Sequence, residues 1–220
     1  MATRFYTYAT GTPSVSPSFS SVWNATTVAG ATRRLLALDT PGDTGDSLEA
    51  VIERVATADK HLMRQFVSPP LDSISATLPA AKAAFRYFET DAKCNCTVYI
   101  IFRKCDEDGS NDTDIGVITN GTEFDTADYV NRYAGPTNLT DQAFSQGDRL
   151  VIEVGAYFDN TKDSDYTARF YTTDNHATTD LGENDTDTTA YNSWIETGDT
   201  FTEASGDPAA IKLGPMFTFA

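Results

Sequence analysis

The strongest constraint on the fold is a group of apolar segments with the length and the alternation of β-strands. Residues 149–158, if extended, place three aliphatic side chains on one face and two residues on the other: Leu150, Ile152 and Val154 against Val151 and Glu153. Residues 94–104 (Cys-Asn-Cys-Thr-Val-Tyr-Ile-Ile-Phe-Arg-Lys) are rich in the β-branched and aromatic residues that pack well on a pleated sheet. We therefore predict a long strand at 149–158 and a central strand at 94–104.

The composition agrees with a β-rich core. The chain of 220 residues contains 13 Phe and 10 Tyr, and 40 % of its residues are hydrophobic, which excludes global disorder. Further strands are predicted, in order along the chain, at 5–8, 61–68, 74–89, 115–119, 166–172, 191–197 and 211–219.

Two segments are ambiguous between helix and strand. In residues 47–57, Leu48, Val51 and Ile52 fall near helical spacing and Ser47 can act as a cap, so we predict a short helix there. Residues 31–38 fit a strand or a helical turn, and a cluster of Pro, Gly and Asp ends this segment.

The predicted fold class is mainly β: an antiparallel β-sandwich of jelly-roll type with at most one or two short helices. Residues 1–220 are expected to form a single domain, because no linker or internal repeat is present, and residues 1–30 an extended N-terminal arm. The arm contains two prolines that disfavour strand pairing and three apolar anchors: Pro13, Pro17, Phe19, Val22 and Trp23. Such an arm either folds back on its own domain or reaches over a neighbouring subunit.

The charge balance restricts the partners. The chain has 32 acidic and 16 basic residues, a formal net charge of −16, and a field of that sign repels a phosphate backbone. Nucleic acid is therefore not an expected partner. The acid excess fits a protein that stays soluble in strong brine, and it equally fits an ordinary acidic surface.

No segment is expected to lie in a membrane or to direct secretion. The longest apolar runs fall short of the roughly 20 residues that span a bilayer. Residues 1–12 have no basic, apolar and small-residue succession of a secretory signal. We expect the protein to act where it is made or to leave the cell as part of an assembly.

Three cysteines, Cys94, Cys96 and Cys105, lie close together in the sequence. In an extended strand, Cys94 and Cys96 point the same way but are poorly placed for a mutual disulfide. A zinc site would need further ligands, and the only histidines, His61 and His176, do not form a zinc motif with these cysteines. Buried free thiols are the preferred interpretation.

No catalytic signature occurs in the chain. The nucleophile elbow, the phosphate-binding glycine loop and the zinc-protease motif are all missing from the sequence. A glycosidase-like carboxylate pair remains an alternative in so acidic a chain, although no pair has an apolar setting. We predict no enzyme, no cofactor, and no catalytic, cofactor-binding or metal-binding residue.

Three surface features have a functional and a plain interpretation. Acidic residues at 106–114 and at 180–187 resemble a calcium ligand set in composition but not in spacing, so solvated loops are preferred. Asn-x-Thr occurs at Asn24, Asn95, Asn111, Asn120, Asn138 and Asn184, which indicates glycosylation or, more simply, a Thr-rich composition. Exposed tryptophans at 23 and 194 would suit sugar stacking, but core packing is preferred.

Several blocks of the sequence resemble virion proteins of tailed viruses. The blocks are Arg4-Phe5-Tyr6, Val15-Ser16-Pro17-Ser18-Phe19, Trp23, Arg33-Arg34-Leu35, residues 64–71, 74–78 and 147–155, Asp180-Leu181 and the Trp194 segment. They are spread over most of the chain. The resemblance implies a jelly-roll component of a phage-like head or tail, located in the virion and without an active site.

The resemblance and the residues together favour a structural subunit. The first hypothesis is a capsid decoration, turret, cement or tail-associated protein that forms homo-oligomers and contacts other virion proteins. The second is a carbohydrate-binding module of a fibre or turret that attaches to host-surface glycans. A third is a β-sandwich that cleaves glycosides.

Overall fold

A computed structural model describes residues 2–8, 11–24, 33–39, 41, 47–53, 59–158, 166–172 and 179–205, with the side chains of 47–53 and 172 excluded. This part of the chain contains thirteen strands and no helix. The strands are β1 (Thr3–Thr7), β2 (Arg33–Leu38), β3 (Ser47–Glu53), β4 (Asp59–Val67), β5 (Ile74–Ala76), β6 (Ala81–Glu89), β7 (Cys96–Cys105), β8 (Thr113–Asn120), β9 (Val130–Thr137), β10 (Gln142–Phe144), β11 (Arg149–Phe158), β12 (Tyr166–Thr172) and β13 (Trp194–Thr197). The prediction of a mainly β protein is confirmed.

Eleven strands belong to one mixed sheet, and β5 pairs with β10 in a small separate one. The order in the large sheet is β3-β12-β6-β13-β1-β2-β4-β11-β7-β8, and β9 pairs with β6 outside this path. We call β3, β12, β6, β9, β13 and β1 half A, and β4, β11, β7 and β8 half B.

Strand β2 joins the two halves. Its last residues pair with β1 (Leu36 with Thr7), and its first residues pair with β4 (Arg33 with Gln65). The pair β2–β4 is parallel, so the expectation of purely antiparallel pairing is wrong here. Between these strands the chain forms β3, which pairs with β12 in half A, and this crossover brings β4 back in the direction of β2.

The two halves share one apolar core. Phe66 of half B and Phe170 of half A lie edge to face, with ring centroids 6.3 Å apart. Phe85 and Tyr87 of β6 contact the same Phe170 ring at 5.2 and 5.6 Å. The alternation predicted for β11 is confirmed, because Leu150, Ile152 and Val154 all point into this core. The arrangement is consistent with a β-sandwich.

Several predicted strands agree with the structure within a few residues. Those at 149–158 and 166–172 coincide with β11 and β12, and the ambiguous segment 31–38 contains strand β2. The segment 74–89 is divided into β5 and β6. Strands β9 and β10 were not predicted, and the closing strand at 211–219 lies outside the described residues.

The helix predicted at 47–57 is wrong over 47–53, and residues 54–57 lie outside the described residues. Residues Ser47–Glu53 form β3, which pairs antiparallel with β12 from Ser47–Thr172 to Glu53–Tyr166. The helical spacing of Leu48, Val51 and Ile52 is a local signal, and pairing with a distant strand overrides it.

The N-terminal residues have two different positions. Residues 3–7 form a strand of the large sheet between β13 and β2, rather than part of an arm. Residues 11–24 contain no strand and pack on the outer face of half B, while 25–30 lie outside the described residues. In the part of the chain that the structure describes, no helix is long and apolar enough to cross a membrane.

The Phe170 contacts predict a large effect of truncation. Phe170→Ala should lower the free energy of unfolding by about 3–5 kcal/mol, because it opens a cavity where the two halves meet. Urea denaturation measures this loss. Phe88→Ala, on the half-buried side of neighbouring β6, is the matched control and should cost clearly less. Equal losses in the two variants would contradict the assignment of Phe170 to the shared core.

Candidate functional site

The outer face of half B contains a completely buried carboxylate, Glu153 of β11. Its oxygens accept hydrogen bonds from the Ser20 backbone N–H at 3.1 Å and from the Trp23 indole Nε1 at 2.5 Å. The Gln65 amide donates at 2.9 Å, and the Arg103 guanidinium pairs with the same carboxylate at 3.0 Å. Four donors therefore replace the water that Glu153 lost on burial.

A second ring of contacts surrounds this carboxylate. Arg103 Nε donates to Asp114 at 2.6 Å, and the Ser20 hydroxyl donates to the same side chain at 2.7 Å. Burial lowers the pKa of Arg103, but the carboxylates of Glu153 and Asp114 outweigh it and raise that pKa overall. The guanidinium therefore stays charged.

Backbone carbonyls of the N-terminal segment 11–24 are held by the same network. The Gln65 amide donates to Ser18 O at 3.0 Å, and Arg33 donates to Pro17 O at 2.7 Å. Arg33 also donates to Gln65 Oε1 at 2.9 Å. The segment is thus fixed to β2 and β4 as well as to β11.

Apolar contacts complete the attachment. Phe19, Val22 and Trp23 of the segment pack against a patch on half B that consists of Leu62, Tyr99, Ile101 and Val117. Gly155 lies under the Trp23 ring, since a Cβ there would be 2.6 Å from the indole. Of the two alternatives for these anchors, the structure shows the segment folded back on its own domain.

An open groove of about 460 Å³ lies next to this attachment. Two half-buried tyrosines, Tyr99 and Tyr157, contribute to it from neighbouring strands, and Lys60 Nζ is 4.7 Å from the centre of the Tyr99 ring. The lining residues are Lys60, Thr97, Val98, Tyr99, Thr119, Asn120, Gly121 and Tyr157. Aromatic rings beside hydroxyl and ammonium groups suit a polar ligand with an apolar face, such as a sugar ring.

The acidic residues at 106–112 lie in the turn of the β7–β8 hairpin, as the plain interpretation predicted, and Asp114 lies in β8. Their carboxylates accept hydrogen bonds within the protein instead of converging on one point. Asp106 accepts from the Asn111 amide at 2.7 Å, Asp108 from the Ser110 N–H at 2.9 Å, and Asp112 from the Ser18 N–H at 3.0 Å.

The acidic residues at 180–187 are likewise hydrogen-bonded to the domain. Asp185 accepts from the Tyr133 N–H at 2.8 Å and from the Asn120 amide at 2.9 Å. Asp187 accepts from the Gly182 N–H at 3.0 Å, and Glu183 forms an ion pair with Lys82. These contacts attach the segment to the strands of the sheet.

The Asn-x-Thr sites differ in exposure. Asn24, Asn111 and Asn138 are exposed, whereas Asn95, Asn120 and Asn184 are half-buried. The amide of Asn120 already donates to Tyr133 O at 2.6 Å and to Asp185. Glycosylation at the exposed sites stays an alternative to the preferred interpretation, a Thr-rich composition.

The tryptophans and cysteines are internal. Trp23 and Trp194 are 6 % and 0 % exposed, so the prediction of core packing is confirmed. All three cysteines are free and buried, as predicted. The expected extended geometry is wrong for Cys94, which lies in a turn before β7 with its sulfur 2.7 Å from that of Cys96. His61 is buried, which lowers its pKa, and His176 lies outside the described residues.

Comparison with protein-family models and with curated proteins finds no match to this chain. The sequence alone did not identify the Glu153 network or the tyrosine groove. One signal was present, because Glu153 is the single charge inside the apolar run Leu150–Gly155 of a strand buried on both faces.

The four donors around Glu153 predict a strong effect of removing its charge. Glu153→Gln should lower the free energy of unfolding by about 3–5 kcal/mol, because it leaves Arg103 without its buried partner and turns an amide toward other donors. Chemical denaturation measures the loss. Chymotrypsin should also cleave the native variant faster at Phe19 or Trp23 than it cleaves the parent protein.

Glu107→Gln, on the exposed hairpin turn, is the control and should change the unfolding free energy by no more than about 0.5 kcal/mol. If Glu153→Gln were as stable and as protease-resistant as this control, the network would not be what holds the N-terminal segment.

Proposed function

We propose that this protein is a non-enzymatic structural subunit of a tailed-virus particle. It is a capsid decoration, turret, cement or tail-associated subunit, it assembles through protein–protein contacts, and it is located in the virion. Its proposed fold type is a jelly roll, with residues 11–24 as the described portion of an N-terminal arm.

The observation that carries the proposal is the position of the sequence blocks that resemble virion proteins. The blocks containing Ser18, Trp23, Arg33, Gln65 and Glu153 are far apart in the sequence but contact one another in the Glu153 network. Their polar groups bind protein groups and hold chain segments together. Polar residues that hold chain segments together in this way support a structural role rather than a catalytic one.

Three of the remaining blocks form a second network on half A, whereas block 74–78 contains β5 of the small sheet. Arg4 pairs with Asp180 at 2.7 Å, and the Tyr6 hydroxyl donates to the same carboxylate at 2.9 Å. The Arg4 guanidinium lies 4.1 Å from the Trp194 ring centre, and the Trp194 indole donates to Leu181 O at 2.8 Å. This network also joins distant segments, which supports the same conclusion.

The proposal predicts that the protein is part of the purified particle. Mass spectrometry of gradient-purified virions should detect its peptides in a fixed ratio to the major capsid protein, because a symmetric subunit has a defined copy number. Cryo-electron microscopy of the same particles should then fit the described fold into density on the head or the tail. Absence of the protein from purified virions would contradict the proposal.

The recombinant protein tests the oligomeric part separately. Light scattering should give the mass of a closed homo-oligomer, or the protein should attach to particles that lack it. A protein that is strictly monomeric and binds no particle would contradict assembly through subunit contacts.

A second candidate function, carbohydrate binding at the host surface, is favoured by the tyrosine groove. Tyr157 and Tyr99 line the groove, and Lys60 and Thr119 provide hydrogen-bonding groups beside them. A sugar would stack its apolar face on a ring and bind its hydroxyls to these groups.

This candidate predicts saturable binding on a glycan array that is lost in Tyr157→Ala, because the stacking surface is removed. Tyr129→Ala, a half-buried tyrosine on half A, is the matched control and should keep the binding. If no glycan binds, or if the two variants lose binding equally, the groove is not a sugar site and the structural role stands alone.

A further inference from the structure

Two thiols and a carboxylate are brought together where β6 is connected to β7. Glu89 is the last residue of β6, Cys96 is the first residue of β7, and Cys94 lies in the turn between them. The turn is closed by a hydrogen bond from Cys94 N to Asp91 O at 2.8 Å. Asn95 has a φ of 50°, a left-handed conformation that Asn tolerates better than most residues. It folds Cys94 back beside Cys96.

The three side chains form a tight, buried cluster. The two sulfur atoms are 2.7 Å apart, and one carboxylate oxygen of Glu89 and both sulfurs lie within 4.8 Å of one another. Cys94 and Cys96 are fully buried, and Glu89 is 1 % exposed. Glu89 Oε2 also accepts a hydrogen bond from Cys96 N at 3.2 Å, which fixes the carboxylate against the start of β7.

A second carboxylate connects the cluster with the surface. The carboxyl group of the exposed Glu123 lies beside that of Glu89. The backbone of Glu123 is held by Arg132, whose Nε donates to Glu123 O at 2.9 Å. Phe124 N donates to Cys96 O at 2.9 Å and so ties the next residue to the same strand end.

We propose that Glu89, Cys94 and Cys96 bind a thiophilic divalent cation, Zn²⁺, and that the carboxylate of Glu123, which lies beside Glu89 but outside this cluster, moves in as the fourth ligand. Thiolate and carboxylate are both established Zn²⁺ ligands, and four of them complete a tetrahedral site. The cysteines and histidines of the sequence did not predict this site. Its two further ligands are glutamates from outside the cysteine segment rather than histidines.

The electrostatics of the cluster suit a cation. Binding displaces the two thiol protons to solvent, so that two thiolates and two carboxylates surround one Zn²⁺ and the site carries a net charge of about −2. The guanidinium of Arg132 offsets part of this charge, since it interacts electrostatically with both Glu89 and Glu123. Glu123 at the surface provides an entry path for the ion.

The distance between the two sulfurs does not by itself distinguish a metal site from a disulfide. The carboxylates beside the thiols make the difference. Two sulfurs bound to Zn²⁺ at about 2.3 Å lie about 3.8 Å apart, so the thiols must separate by about 1 Å. A disulfide requires an approach to about 2.0 Å. Two carboxylates beside the thiols contribute nothing to a disulfide, whereas they supply the two remaining ligands of a four-coordinate cation.

The third cysteine provides a matched control. Cys105 is also free and fully buried, but it lies at the other end of β7, among Val67 and Val151 on the outer face of half B. Burial raises the pKa of Cys105 to about 12, so its thiolate is scarce.

The test uses the full chain, reduced and freed of metal, and titrates it with Co²⁺ and then with Zn²⁺. We expect one equivalent of Co²⁺ to bind with a thiolate-to-cobalt charge-transfer band, and one equivalent of Zn²⁺ to remove the band. Cys94→Ser and Cys96→Ser should lose the band, and Cys105→Ser should keep it. Circular dichroism of each variant reports whether it has folded.

X-ray absorption of the Zn²⁺-loaded parent protein keeps the proposal testable if a variant fails to fold. Two sulfur and two oxygen neighbours are expected, the sulfurs at about 2.3 Å. The proposal is overturned if the reduced protein binds no Co²⁺ or Zn²⁺, if the band survives in Cys94→Ser, or if the zinc has fewer than two sulfur neighbours. It is also overturned if Cys94 and Cys96 are joined as a disulfide and their reduction creates no metal binding.

Discussion

The attachment of the N-terminal segment depends on one buried charge. Glu153 lies fully buried on the outer face of β11, and the N-terminal segment and the neighbouring strands supply the donors that its carboxylate needs there. The segment depends on the carboxylate in turn, because the Ser20 N–H and the Trp23 indole both donate their hydrogen bonds to it. A strand buried on both faces and a loop without regular structure are thereby fixed to each other.

The same principle recurs on half A with different residues. Arg4 and Tyr6 of β1 converge on Asp180, and Trp194 lies against the Arg4 guanidinium. Between the two networks runs β2, which pairs with β1 at one end and with β4 at the other. The apolar core around Phe170 provides most of the driving force for folding, whereas the polar networks determine which segments cover the sheet.

Both polar networks hold together chain segments that are distant in sequence. Among the described residues, most carboxylates of the two acidic segments accept hydrogen bonds from the protein itself, whereas the tyrosine groove and the thiol–carboxylate cluster have ligand chemistry. The groove is open and suits recognition at a surface. The cluster is closed and connects β6 with β7, so an ion bound there would strengthen a link between the two halves.

Local sequence signals were sufficient to predict those strands whose side chains alternate between the two faces in a recognisable pattern. The strand at 149–158 was predicted because Leu150, Ile152 and Val154 alternate, and the buried aromatic core followed from composition. Tertiary contacts decided the rest. Strand pairing with β12 overrode the helical spacing of residues 47–57, and a crossover made β2 and β4 parallel.

The networks and the metal cluster join residues that are distant in sequence, and no local pattern specifies such pairs. Ser20 and Glu153 are 133 positions apart, and the cysteine segment does not reveal that Glu123 will lie beside Glu89. The sequence by itself determined that the chain forms strands around an apolar core, because side-chain alternation is a local property. Only the tertiary structure decided which polar groups meet, because their positions depend on how all the strands are ordered in the sheet.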